Sequence, residues 1–256
     1  MFANLTVAIS RRLRAIADLV PRHSKLVDVG TDHALLPVYL SQQHTLSYAV
    51  ATDISEGPYT AALQNVRAFN LERQVSVRLG PGLSTVAPGE VDTVVIAGMG
   101  GSTAVEILTE SPKVMEQVEL VVIQPMNASQ RVRSYWRENG YVLSVEAVIL
   151  EDDRYYEIMA ARRLSGSEVE GRDPAYSSFL GSEDELSVAL ELGPTLLVKP
   201  TDTFIEFARA KLARWKSIAG ELEHSRQPAS TVHRNRLIRQ THWLEKWMNH
   251  HQPEDK

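Results

Sequence analysis

Two acids and a glycine at the end of one apolar run carry the first chemical signal. Lys25-Leu26-Val27-Asp28-Val29 is short and apolar, stops at Gly30, and continues as Thr31-Asp32-His33. Gly30 lets the backbone turn sharply and approach a ligand closely. The segment is not G-x-G-x-x-G, and no Gly-Lys-Ser/Thr follows it, so the dinucleotide fingerprint and the P-loop both fail. Carboxylates here would repel a pyrophosphate, but they suit a ligand with an ammonium group and ribose hydroxyls. That chemistry favours S-adenosylmethionine over NAD or ATP. Asp32 also suits a helix N-cap, and His33 reads as a packing or hydrogen-bonding residue rather than a base.

Further groups recur at the ends of later apolar runs. Asp53 closes Tyr48-Ala49-Val50-Ala51-Thr52, about twenty residues after Gly30, where an acid can accept both ribose hydroxyls. Gly80-Pro81-Gly82-Leu83 can form a rigid edge over an adenine ring. Gly98-Met99-Gly100-Gly101 either exposes backbone amides where a substrate base would enter or makes a tight strand-to-helix turn. Gln124-Pro125-Met126-Asn127 adds neutral amides able to read a base edge.

The elements that must position these groups alternate. A helix is expected from Leu5 to Leu19, then a strand over Lys25–Val29, a helix starting at Leu35 with Pro37 in its first turn, and a strand over Tyr48–Thr52. A helix from Pro58 to Phe69 follows, then strands at Val75–Leu79, Asp92–Ala97 and Leu120–Ile123, with a helix after each of the last two. Tyr141–Ile149 and Tyr155–Ala161 read as a closing hairpin. Such alternation implies a parallel sheet covered on both faces, with ligands at the carboxyl ends of its strands. Gly30, Asp53, Gly80, Gly98 and Gln124 all fall at those ends.

Residues 164–198 read as a connecting segment between a domain over 1–163 and a helical region over 199–250. There Ile205, Ala208, Leu212, Trp215, Ala219 and Leu222 recur at helical spacing, and Leu237, Thr241, Leu244 and Met248 continue the rhythm beyond Pro228. Two such helices suggest an antiparallel coiled-coil hairpin, with Trp215, Trp243 and Trp247 as packing residues. A hairpin that satisfies its own seam points to a monomer.

Composition narrows the function classes. At 256 residues, 43% hydrophobic and 23% charged, the chain is of ordinary globular type. No run reaches the roughly eighteen apolar residues of a membrane span, and the opening segment meets Arg11-Arg12 too soon for a cleaved signal. The absence of cysteine removes thiolate metal sites and thiol nucleophiles, so a cytoplasmic protein with no resident metal is expected. The net charge of -5 is unevenly spread: residues 199–246 hold 10 Lys+Arg against 5 Asp+Glu. A basic arm on an acidic body localises a phosphate-binding face, or is simply a solvated helical pair.

These motifs together resemble one family, the bacterial tRNA (adenine-22-N1)-methyltransferases, or TrmK family. The resemblance runs from Arg11 through D-V-G-T-D-H-A-L-L-P at 28–37, I-A-G-M-G-G at 96–101, Q-P at 124–125 and Y-E at 156–157 to Gly193-Pro194. It implies a Rossmann-like α/β methyltransferase domain of seven strands with a C-terminal α-helical coiled-coil domain. It also implies S-adenosylmethionine around Asp28, Gly30, Asp53 and the Gly80–Leu83 turn. Thr31, His33, Ile54, Gly82, Leu83, Gly98 and Met99 complete the candidate cofactor set, and Asp32 is the residue the resemblance makes catalytic. Gly100, Gly101, Gln124, Pro125 and Asn127 are candidates for the substrate base. Arg11, Arg12, Arg14, Arg209, Lys211, Arg214, Lys216, Arg226, Arg234, Arg236 and Arg239 are candidates for tRNA phosphates. The chain departs from the family at Pro81, where an acid is common, and at Met126, where Asn is frequent.

The implied chemistry is direct. Adenine N1 has a lone pair and needs no deprotonation, so the site has to align N1, methyl and sulfur and exclude water. N1 lies on the pairing edge, so the base must be free or flipped. Asp32 would accept the amino proton as positive charge develops. The alternatives are a methyltransferase acting on another RNA base, an RNA-binding module with a vestigial cofactor pocket, and an NAD-dependent Rossmann dehydrogenase, against which the missing glycine fingerprint counts.

Overall fold

A computed structural model describes residues 6–164, 173–224 and 227–251. The chain divides into two compact units, residues 1–170 and 171–256.

In the first unit the alternation resolves into α1 (Arg11–Ala17), β1 (Ser24–Val29), α2 (Leu35–Gln42), β2 (Leu46–Asp53), α3 (Glu56–Ala68), β3 (Val75–Leu79) and β4 (Thr93–Met99). It continues with α4 (Gly101–Thr109), α5 (Pro112–Met115), β5 (Leu120–Pro125), α6 (Ser129–Glu138), β6 (Tyr141–Glu151) and β7 (Arg154–Arg163). The seven strands lie in the order β3-β2-β1-β4-β5-β7-β6. β1 to β5 pair in parallel, and β7 is antiparallel to both β5 and β6. This is the seven-stranded α/β architecture expected from the sequence. The runs read as strands are continuous rather than alternating in polarity because both faces of the sheet are covered. Leu26, Val27, Ala49, Val50, Val94, Val95, Val121 and Val122 are all fully buried.

The first helix is shorter than its periodicity suggests. Ser10 caps it by accepting from the Leu13 amide at 3.2 Å, so the helix begins at Arg11. Val7 and Ile9 still pack on the core from an extended segment, and Leu5, the expected start, lies outside the described residues.

One polar cluster sits inside this unit. Arg133 of α6 is 1% exposed and bonds Glu146 of β6 at 2.7 Å and Glu157 of β7 at 3.0 Å. Ser129 Oγ donates to the other Glu157 oxygen at 2.6 Å. The triad locks α6 and the turn before it onto the hairpin.

The second unit corrects the reading of 164–198 as a plain connection. Its described part, 173–198, holds a 3-10 turn (Pro174–Phe179), α7 (Glu183–Leu192) and α8 (Pro194–Val198). These precede α9 (Asp202–Glu221) and α10 (Pro228–His250). Ser182 caps α7, Gly193 ends it and Thr201 caps α9, so within the described part these residues mark helix ends. α9 and α10 run antiparallel: the Phe204 and Trp247 rings lie 5.9 Å apart and Arg234 Nε donates to the Ala219 carbonyl at 3.3 Å. α7 and α8 also pack on α10, through Gln240 Nε2 to Ser187 Oγ at 2.8 Å and Trp247 Nε1 to the Leu197 carbonyl at 3.1 Å. The hairpin is therefore one part of a small helical bundle. Its tryptophans pack as expected, Trp215 buried and Trp243 edge-on to Phe179.

Replacing Arg133 with Met should cost about 3–5 kcal/mol, because it strands two buried carboxylates. Urea unfolding would measure this, and a change near zero would mean that the triad is solvated in solution.

Candidate active site

The sheet changes winding direction at β1, whose neighbours are β2 on one side and β4 on the other. A crevice therefore opens at the carboxyl ends of β1 and β4. Gly30 lies at this point with φ +71°, and a side chain there would collide with the Met99 methyl. The Gly30 and Thr31 amides both donate to the Thr52 carbonyl, at 2.8 and 2.9 Å, which folds the β1 end over β2. The chain then takes two consecutive left-handed residues, His33 (φ 58°) and Ala34 (φ 51°), an uncommon backbone for side chains of this type. Asn65 Nδ2 holds the turn by donating to the His33 carbonyl at 2.7 Å. Sequence reasoning missed Asn65, because a lone Asn inside a helix carries no signal.

The two acids of this segment have opposite surroundings. Asp28 is buried, with Oδ2 accepting from Thr31 Oγ1 at 2.6 Å. Burial pushes its carboxyl up to about 6, the Thr31 hydroxyl counteracts this in part, and neighbouring Asp53 adds to it. Asp32 has a side chain 80% exposed, 3.3 Å from His33 Nε2. It is not the cap of α2, whose N-cap is Ala34 with no side-chain hydrogen bond.

Asp53 ends β2, and its Oδ1 accepts from the Ser55 amide at 2.7 Å while its carbonyl accepts from Gly80 at 2.8 Å. Ile54 beside it is 70% exposed, an apolar flank at the mouth of the crevice. The Gly82 carbonyl accepts from Thr52 Oγ1 at 3.0 Å, and Gly82 has φ +52° against Ile107. Leu83, expected to face the cofactor, is 1% exposed; its side chain belongs to the core.

Of the two readings of the glycine block, the structure shows the tight turn from β4 into α4. Gly98 (φ +78°) forms an irregularity in the β4–β5 register, and its amide donates to Gln124 Oε1 at 3.1 Å. The Met99 carbonyl accepts from the Met126 amide at 2.8 Å, and the Gly101 amide donates to the Asn127 carbonyl at 2.9 Å. A side chain on Gly101 would strike the Ala128 carbonyl, and one on Gly100 would meet Asn127 Oδ1 at 3.1 Å. The amides at 98 and 101 are therefore committed to the protein, and Gly101 serves the close approach of two backbone segments.

Gln124 does not read a base either. It is fully buried, with Oε1 accepting from the Gly98 amide and Arg12 Nη1 and Nε2 donating to the Pro125 carbonyl at 3.1 Å. Pro125 is buried and Asn127 exposed. Arg12, a candidate phosphate contact, is half-buried at the β4–β5 end, 5.3 Å from the Tyr156 ring centroid. Arg11 is exposed, and Arg14 bonds the Tyr39 hydroxyl and lies over that ring.

Within the helical unit the basic residues differ in availability. Arg234 pairs with Glu223 at 3.2 Å, Arg239 with Asp184 at 2.8 Å and Lys216 with Glu245 at 2.7 Å. Lys211 is half-buried over Phe207. Arg209, Arg214 and Arg236 are exposed. Arg226 lies outside the described residues.

A crevice lined by acids at the ends of β1 and β2, under this strand order, defines a Rossmann-like methyltransferase. The family described as "Methyltransferase domain" matches residues 9–159, which holds every strand end named above. The chain is also 30% identical over 217 residues to the tRNA (adenine(22)-N(1))-methyltransferase of Bacillus subtilis (strain 168), covering 85% of this chain and 87% of that one. The crystal structure of the B. subtilis m1A22 tRNA methyltransferase TrmK superposes with a TM-score of 0.82 at 27% identity, covering 94% of this chain and 99% of that one. M. capricolum TrmK in complex with S-adenosyl-homocysteine gives 0.69 at 25% identity, covering 93% and 98%. The chain belongs to the tRNA (adenine(22)-N(1))-methyltransferase family. Among the described residues no helix is long and apolar enough to cross a membrane, and no cluster of three or more His, Asp or Glu could hold a metal ion.

The Asp28 environment yields a pH test. Between about pH 4 and 6 the folded state holds a proton that the unfolded state has released, so this group's contribution to stability falls as pH rises through that window. Asp28→Asn abolishes the effect. Its stability relative to wild type should improve by about 3 kcal/mol between pH 4 and pH 7, at 1.36 kcal/mol per pKa unit. A pH-independent difference in urea unfolding would show that Asp28 is solvated.

Proposed function

We propose that the protein transfers the methyl group of S-adenosylmethionine to N1 of adenine 22 in tRNA. The observation that carries this reading is the pair of carboxylates at adjacent strand ends, Asp28 and Asp53, in a member of this family. These groups fit the cofactor. The buried Asp28 carboxylate has an oxygen to offer an ammonium group, and burial makes that cation worth more than it would be in water. Asp53 suits the ribose hydroxyls and exposed Ile54 an adenine face. The left-handed Gly30 lets the ligand lie close to the backbone. With Pro81 in place of an acid, the adenine amino group is left to backbone acceptors.

Bound S-adenosylmethionine supplies an electrophilic methyl that adenine N1 can attack in line. The protein holds the base, excludes water and accommodates the positive charge that appears on the ring. Asp32 is the candidate for that last task. It caps no helix, it is exposed on the turn leaving the crevice, and as a carboxylate it can accept the amino proton. Arg209, Arg214 and Arg236 are free to contact tRNA phosphates, which would position the RNA without specifying its sequence. The helical unit buries its own seam, which supports action as a monomer.

Methyl transfer from labelled cofactor to unmodified tRNA with adenine at position 22, beside the same tRNA with guanine there, tests the reading. Label recovered as 1-methyladenosine from the adenine form alone is expected. Cofactor binding without incorporation would redirect the reading to another RNA or base. Asp32→Asn should lower turnover about 10²–10³-fold, the range seen when one electrostatic stabiliser is removed, and leave cofactor affinity unchanged. Equal loss of both would move Asp32 into the cofactor site.

A further inference from the structure

Arg12 has surroundings that set it apart from the other candidate phosphate contacts. Its guanidinium donates from Nη1 to Gln124 Oε1. Its Cζ lies 5.3 Å from the Tyr156 ring centroid, and Nη1 is 3.9 Å from where a side chain on Gly98 would begin. The Arg12 amide donates to Glu151 Oε1 at 3.2 Å, which fixes the first turn of α1 against β6. Among the described residues no carboxylate pairs with the guanidinium. Both of its side-chain partners are neutral, so the cation is oriented without being neutralised. A half-buried cation of this kind is stabilised by an incoming anion.

We propose that Arg12 binds the phosphate of the target nucleotide itself, with Gln124 and Tyr156 as the positioning residues that aim it. This rests on the reading of the crevice as the site where a nucleotide base is methylated. Ring charge selects phosphate over base: the adenine gains positive charge on methylation, and a guanidinium against the ring would oppose it. Phosphate is the only anionic group that a nucleotide brings to the crevice, and the guanidinium fork matches two of its oxygens. Arg12 thereby ties the backbone of the flipped nucleotide to the same buried amide that shapes the β4–β5 end.

The test uses the full-length protein, its Arg12→Ala and Arg12→Lys variants, and two tRNAs. One carries the natural phosphate at the target nucleotide and the other an uncharged methylphosphonate there. Wild type must first methylate the natural tRNA; failure at that step counts against the proposed function and not against Arg12. Arg12→Ala should then turn over saturating tRNA about 10²-fold more slowly, the cost of a misplaced reactant. Its cofactor affinity by calorimetry should be unchanged, and Arg12→Lys should lie between. The methylphosphonate should slow wild type comparably and slow Arg12→Ala no further, since both changes remove one interaction. Wild-type turnover by Arg12→Ala overturns the proposal. So does a parallel loss of cofactor affinity, or a methylphosphonate penalty as large in Arg12→Ala as in wild type.

Discussion

The Gln124 side chain is an uncharged group with no access to water, and a buried amide must find its hydrogen bonds within the protein. It finds two of them far away in sequence, the Gly98 amide on β4 and Arg12 at the start of α1, and a third at the adjoining Pro125 carbonyl. Satisfying Gln124 Oε1 requires the β4 register to break at Gly98, and that break needs a left-handed residue. It also brings Met99 across to Gly30, so that the two halves of the crevice touch. Remove the amide and the glycine block, the N-terminal helix and the loop before α6 each lose a fixed point.

The same site shows how one short segment can hold two acids in different surroundings. Asp28 and Asp32 are four positions apart, yet one is buried and raised to about 6 while the other stands in water. The turn between them does this. Gly30 and Thr31 are pinned to Thr52, and His33 and Ala34 reverse the chain in left-handed conformation. A segment of this composition in a regular helix or strand could not divide its carboxylates so sharply.

Much of this was legible from sequence, for a physical reason. Strands buried on both faces must be apolar runs, and their ends must be turns, so Asp28, Gly30, Asp53 and Gln124 announce the carboxyl edge of the sheet. What was not legible is the partner of each group. The Gly98–Gly101 block reads equally as a floor for a base or as a strand-to-helix turn, and only the packing of Asn127 and Ala128 against it decides for the turn. Gln124 looks like a reader of base edges, whereas the fold consumes its amide. Those outcomes depend on pairings across long sequence separations, which periodicity does not encode. The stretch 173–198 failed for a different reason. Its Ser182, Gly193 and Pro194 signal helix ends, and in short helices the ends outnumber the periodic positions between them.

On the proposed reading, the distribution of charge follows from the reaction. Methyl transfer from a sulfonium to a neutral ring nitrogen moves one positive charge from the sulfur, across the transferred methyl, to the ring. The site must therefore tolerate a cation first on the cofactor and then on the base, and carboxylates on both sides serve that end better than cations do. A net negative body is then no obstacle to chemistry, only to holding RNA. The polyanion has to be gripped by cations whose charge is taken up by phosphate. Arg209, Arg214 and Arg236, exposed on the helical unit, are the candidates for that grip. Of the candidate phosphate contacts, Arg12 stands at the β4–β5 end, and a phosphate taken up by its fork keeps its charge from opposing the one that forms on the ring.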